Sequence, residues 1–137
     1  MRFVVVESPF AAGSLTLPDG TVVSLERETN VAYACACLHD CLTRHGEAPY
    51  ASHLLYTQPG VLDDDIPEER RLGIQAGLEV SRLARLRLFY VDRGFSGGMR
   101  WALKYARGIG QPCEIRRLRG VWELGWDADF SLGLLRD

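Results

Sequence analysis

Short apolar runs alternate along this chain with stretches in which apolar residues recur at helical spacing. Residues 3–6 are a β-branched run that reads as a buried strand, closed by Glu7, Ser8, Pro9 and Phe10. Residues 15–25 hold two β-prone runs around Pro18, Asp19 and Gly20, a tight-turn signature, and predict a small hairpin inserted before the first helix. Residues 26–45 predict that helix, with Val31, Ala34, Leu38 and Leu42 as its apolar face and Gly46 as its stop. Residues 49–56 read as a second strand running into a loop. Residues 67–84 predict a second core helix: Pro67 suits its first turn, Glu68 and Glu69 favour its positive end, and Leu72, Ala76, Val80 and Leu83 face inward. Gly73 and Gly77 on it allow another backbone to come close. Residues 86–91 form the third strand, ending at Asp92 and Arg93. A glycine-rich turn over 95–100 leads into a third helix lined by Met99, Leu103, Ala106 and Ile109. Gly110 ends that helix, and residues 113–118 give the fourth strand.

The order β-(hairpin)-α-β-α-β-α-β predicts one α/β domain over residues 1–137. We expect a Rossmann-like (flavodoxin-like) open parallel sheet of about four strands with helices on both faces, plus the hairpin insertion. In such sheets the ligand lies beyond the carboxyl ends of the strands, at the switch in strand order. Ser8, Pro9, Phe10, His53, Asp92, Ser96, Gly97, Gly98 and Met99 map to that edge, and Asn30, near the start of the first helix, can face it. Each has a plain alternative: turn residue for Ser8, packed histidine for His53, geometric necessity for the glycines. The tail over 119–137, with Trp122, Trp126 and Phe130, must cover the sheet edge or a partner subunit.

Composition narrows the function without naming it. A net charge of −2 gives no electrostatic footprint for a general nucleic-acid binder, so no nucleic-acid polymer is expected. Lys104 is the only lysine; arginine, the better grip on phosphate, carries the remaining positive charge. Cys35, Cys37, Cys41 and Cys113 do not complete a metal set with any histidine, and read as small buried hydrophobes in a reduced, cytoplasmic setting. The acidic run Asp63, Asp64, Asp65 reads as a solvated loop with capping character. No metal, cofactor or membrane span is predicted.

The first strand ending in Ser8-Pro9, the helix carrying Asn30, the glycine-rich turn and the closing Gly110-Gln111-Pro112 resemble the nucleoside 2-deoxyribosyltransferase-like superfamily over residues 1–116. The stretch 51–58, followed by Asp63-Asp64 and Pro67-Glu68-Glu69-Arg70, looks most like an uncharacterised phage and bacterial branch. The resemblance implies a Rossmann-like sheet, a homodimer or larger homo-oligomer, a nucleoside or nucleotide pocket and, for a phage protein, the host cytoplasm. It implies phosphate held by Ser96, Gly97, Gly98 and Arg100, and sugar or base held by Ser8, Phe10 and His53. Catalytic members attack the anomeric carbon with a glutamate early in the third helix, and counting from the matching residues puts Ala102 there. The expectation is therefore a nucleotide binder without that nucleophile. The alternatives are an N-glycosidic hydrolase or deoxyribosyltransferase with a relocated carboxylate, Asp92 or Glu69, and a structural or interaction protein.

Overall fold

The computed structural model describes residues 1–10, 14–16, 22–24 and 27–122. The elements run β1 (Phe3–Glu7), β2 (Ser14–Thr16), β3 (Val22–Ser24), α1 (Arg27–Arg44), β4 (Ala48–Tyr50), α2 (Ser52–Leu55), α3 (Pro67–Ser81), β5 (Leu86–Tyr90), α4 (Gly97–Gly108) and β6 (Cys113–Arg116), then a 3-10 turn at Gly120–Trp122. Four strands pair in parallel in the order β4-β1-β5-β6. The expected insertion is a separate antiparallel hairpin, β2 with β3, in which Ser14 faces Ser24. The outer part of the aromatic tail, residues 123–137, lies outside the described residues. Among the described residues no helix is long and apolar enough to cross a membrane.

The sheet is covered on both faces because β1 and β5 are apolar on both. Val4, Val6, Leu86, Leu88 and Tyr90 pack with Tyr33, Ala34, Cys37 and Cys41 of α1. Phe89 and Val91 pack with Met99, Ala102 and Leu103 of α4 on the opposite face. The chain leaves β1 toward β4 but leaves β5 toward β6, so the strand order switches between β1 and β5.

Each face also carries a buried ionic layer that hydropathy alone does not announce. Arg87, in the middle of β5, is 1 % exposed. Its guanidinium pairs with Glu7 of β1 and donates to Ser81 Oγ of α3 at 2.8 Å and to Gln111 Oε1 at 2.9 Å. Beside α1, Arg116 grips Glu47 with both terminal nitrogens at 2.7 and 2.8 Å, while Tyr90 donates to Asp40 at 2.7 Å.

Several expected elements shift. Residues 51–56 do not extend the second strand: after Tyr50 the chain turns into α2, with Leu55 N donating to Ala51 O and Tyr56 N to Ser52 O. No β-branched residue occurs over 51–56, and Leu54 enters the core while Leu55 stays out. The inner face of α3 is rotated as well. Leu72 and Leu83 are 56 % and 64 % exposed, whereas Gly77 and Ser81 are buried. The cause is the close crossing of α2: a methyl at Gly77 would stand 2.8 Å from Cβ and Oγ of Ser52, so this face admits only small residues. Leu42 on α1 and Ile109 after α4 point outward too. Their places at the interface are filled by Tyr33, Cys37 and Cys41, and by Ala102 and Ala106. Of the cysteines, Cys37 and Cys41 are buried, Cys113 is half-buried and Cys35 is exposed.

Candidate functional site

β1 and β4 are neighbours, so the segments leaving their carboxyl ends meet. Ser8 follows β1 directly, and α2 follows β4 after one residue. That places Ser8 Oγ 2.9 Å from Nε2 of His53, in hydrogen-bond contact. Desolvation lowers the pKa of His53 from 6.5 to about 4, so its ring is neutral near neutral pH. The Phe10 ring stands edge-on to it, centroids 5.5 Å apart. Asn30, 1 % exposed on α1, donates from Nδ2 to the Phe10 carbonyl at 3.3 Å and accepts from Arg93 Nε at 3.2 Å. Ser8, Phe10, Asn30, His53 and Arg93 therefore form one bonded set across the ends of β1, β4 and β5.

Two adjoining clefts open beside this set, with Phe10, Thr57, Leu62, Asp64 and Glu69 lining both. The tighter has a volume of about 90 Å³ and adds His53, Tyr56, Arg70 and Ile74 to its wall. The wider, about 600 Å³, is bounded by Arg27 and residues 57–64. The Arg27 guanidinium lies 5.6 Å from the Phe10 ring centroid and pairs with Asp65 at 3.2 Å, tying the start of α1 to the acidic loop. Glu69 is steadied from that loop, its Oε1 accepting the Asp63 N–H at 3.3 Å. The same loop folds on itself, Asp63 Oδ1 accepting from Asp65 N, and Ile66 rather than an aspartate stands at the start of α3 with no side-chain cap.

The remaining expected site residues are elsewhere. Asp92 is fully buried, and its carboxylate accepts from Tyr33 Oη at 2.6 Å, Leu118 N at 2.8 Å and Arg119 N at 2.6 Å. A carboxylate so committed fastens the segment after β6; it is not available to a ligand. Ser96 is the N-cap of α4 and accepts from Met99 N at 3.2 Å, while Met99 is buried beneath Phe95. Gly97 and Gly98 are exposed and adopt no left-handed angle; the positive φ of this loop, 98°, belongs to Gly94. Arg100 is exposed, its guanidinium 5.8 Å from the Phe95 ring centroid. None of residues 96–100 lines either cleft. Ala102 is 5 % exposed among Phe89, Met99 and Leu103, so a glutamate there would enter apolar core.

Of the residues expected from the sequence, the structure brings Ser8, Phe10, Asn30, His53 and Glu69 to one edge, and it adds Arg27, Asp64, Arg70 and Arg93 beside them. The acidic run was the available signal for Asp64, because it precedes the helix that supplies Glu69. No signal marked Arg93, whose role depends on an asparagine 63 residues away. Among the described residues no group of three or more His, Cys, Asp or Glu is placed to hold a metal ion.

The chain belongs to the family described as "Domain of unknown function (DUF7768)", whose model matches residues 2–116. No curated protein matches it. Its structure is similar to that of a 2-deoxyribosyltransferase from the psychrotolerant bacterium Bacillus psychrosaccharolyticus, with a TM-score of 0.55 and 18 % identity over 86 % of this chain and 74 % of that one. At that identity the likeness is one of fold: a four-stranded parallel α/β sheet of the Rossmann-like, deoxyribosyltransferase-like kind.

Proposed function

We propose that the protein binds a nucleoside or nucleotide in the cleft between Phe10, His53 and Glu69. One observation carries this reading: an aromatic ring, a neutral imidazole and a carboxylate converge on a cleft at the carboxyl edge of the sheet, beside the switch between β1 and β5. The base would pack on the Phe10 ring. The sugar hydroxyls would bond to Glu69, Asp64 and the His53 ring. Any phosphate would turn toward Arg70 or Arg27, since the 96–100 loop borders neither cleft. The fold shared with a 2-deoxyribosyltransferase supports the ligand class. Sequestration of a nucleotide by a cytoplasmic homo-oligomer, phage-encoded in the branch the sequence resembles, belongs to the same reading.

A second reading is cleavage or transfer at an N-glycosidic bond. It is favoured by the position of Glu69, which lines both clefts while Asp92 is consumed by structural bonds. The Glu69 carboxylate would attack the anomeric carbon as the base departs with the glycosidic electron pair.

Both are tested by incubating the purified chain with nucleosides and nucleotides and analysing the wash and the denatured protein by mass spectrometry. Binding predicts intact ligand released on denaturation, and loss of that signal in Phe10→Ala. Cleavage predicts free base in the wash, abolished in Glu69→Gln. Neither retained ligand nor free base from any member of the panel refutes both.

A further inference from the structure

The net charge of −2 conceals a strong asymmetry. Between Arg93 and Arg119 the chain has seven Arg or Lys residues and a single acid, Glu114, so this fifth of the sequence carries +6 and the remainder −8. No carboxylate at all occurs between Asp92 and Glu114, the stretch that contains α4. Exposed helices usually relieve their charges by alternating signs, as α3 does with its Glu79–Arg82 pair at 3.4 Å. On α4, Arg100 and Lys104 stand four residues apart on the exposed side, and no described carboxylate pairs with either. Like charges at this spacing destabilise a helix, so the arrangement costs stability unless an anion relieves it.

Aromatic surface accompanies these cations. Trp101 is 50 % exposed, and its ring stacks on Tyr105 at 5.8 Å between centroids with planes 8° apart. Stacking on Tyr105 leaves an indole face open beside Arg100 and Lys104.

We propose that the outer face of α4 is a binding surface for single-stranded nucleic acid, with Arg100 and Lys104 taking phosphodiester groups and Trp101 stacking a base. Aromatic planes set among cations are what such strands require, because each base has a stackable face and each linkage a charge. An acidic protein segment would use the cations but gain nothing from an open indole face. The surface is separate from the Phe10–Glu69 cleft, to which none of these residues contributes, so the proposal does not depend on the function proposed for that cleft.

The test is fluorescence anisotropy of the full chain with a labelled 20-nucleotide single-stranded oligothymidylate. Saturable binding is expected at 50 mM NaCl. Two phosphate contacts to a single strand weaken it about 7-fold at 200 mM. Trp101→Ala should reduce affinity about ten-fold, and Arg100→Glu with Lys104→Glu should abolish binding. If that pair fails to fold by circular dichroism, Arg100→Gln with Lys104→Gln serves, with at least a ten-fold loss expected. No anisotropy change at 50 mM NaCl, or unchanged affinity in Trp101→Ala, overturns the proposal. So does competition by poly-glutamate equal to that of unlabelled oligothymidylate, which would assign the face to acidic protein segments.

Discussion

Replacing Asp92 by asparagine separates a structural carboxylate from a catalytic one. In the native protein three donors converge on its two oxygens: Tyr33 Oη and Leu118 N on Oδ2, and Arg119 N on Oδ1. An asparagine keeps the shape but has one oxygen, and its amide nitrogen must face one of these donors. Hydrogen bonds to a buried charge are worth about 1.5–3 kcal/mol, and a buried donor left unsatisfied costs a further 1–3 kcal/mol. Arg119 holds a left-handed φ of 69°, which costs a non-glycine residue about 1–2 kcal/mol and persists because Asp92 fixes it; release of that strain offsets part of the loss. The net loss is about 2–4 kcal/mol. With a urea m-value of about 2 kcal/mol/M for a domain of this size, the unfolding midpoint should fall by about 1–2 M. Equilibrium urea unfolding followed by far-UV circular dichroism reads the shift. Ligand affinity per folded molecule should stay unchanged. An Asp92→Asn protein as stable as the parent but unable to bind or cleave would refute the structural assignment and return Asp92 to the chemistry.

Gly77→Ala should destabilise by about 1–3 kcal/mol, because its methyl would meet Ser52 at 2.8 Å; Ser52→Gly in the same chain should recover most of the loss in urea unfolding. Glu47 is held near pKa 2, well below its ordinary 4.5, chiefly by its hydrogen bonds to Arg116. Its contribution, about 3 kcal/mol, is fully present above pH 4.5 and is lost as pH falls toward 2, so acid unfolding of Glu47→Gln should lack that steep segment. His53 runs the other way in charge but not in slope: burial lowers its pKa from 6.5 to about 4, so the unfolded state takes up the proton first and stability declines as pH falls from 6.5 to 4. Its imidazole resonances should show no titration between pH 8 and 5.5, and a midpoint near 6.5 would contradict the burial. Phe10→Ala should weaken nucleoside binding about ten-fold by calorimetry, read per folded molecule because the ring lines the cleft and also packs against the core beside α1.

The parallel four-stranded sheet and its three long helices were legible because they follow from apolar runs and the handedness of parallel crossovers. The rotation of α3 was not. Hydropathy favours Leu72 and Leu83, yet the face that packs is chosen by the nearness of Ser52, a distance no periodicity encodes. The site divided along the same line. Ser8, Phe10 and His53 follow strand ends, and topology alone places them at this edge. The glycine-rich turn also follows a strand end, but its serine serves as a helix cap and its methionine is core, uses that leave the same trace in a sequence as ligand binding would. Asp92 misled for a related reason: an acid at a strand terminus reads as available until its three donors are known.

Arg87 has a consequence for how the chain assembles. Its guanidinium finds partners on Glu7, 80 residues away, on Gln111, 24 residues away, and on Ser81 close by. A half-built sheet that holds β1 and β5 but not the turn before β6 would bury this cation with part of its donors orphaned, and would be raised in energy relative to both the native and the unfolded chain. Partial structures should therefore stay unpopulated, giving all-or-none unfolding with coincident transitions by different probes. The same contacts span much of the sequence, so they close late and make refolding slower than helix content alone would suggest.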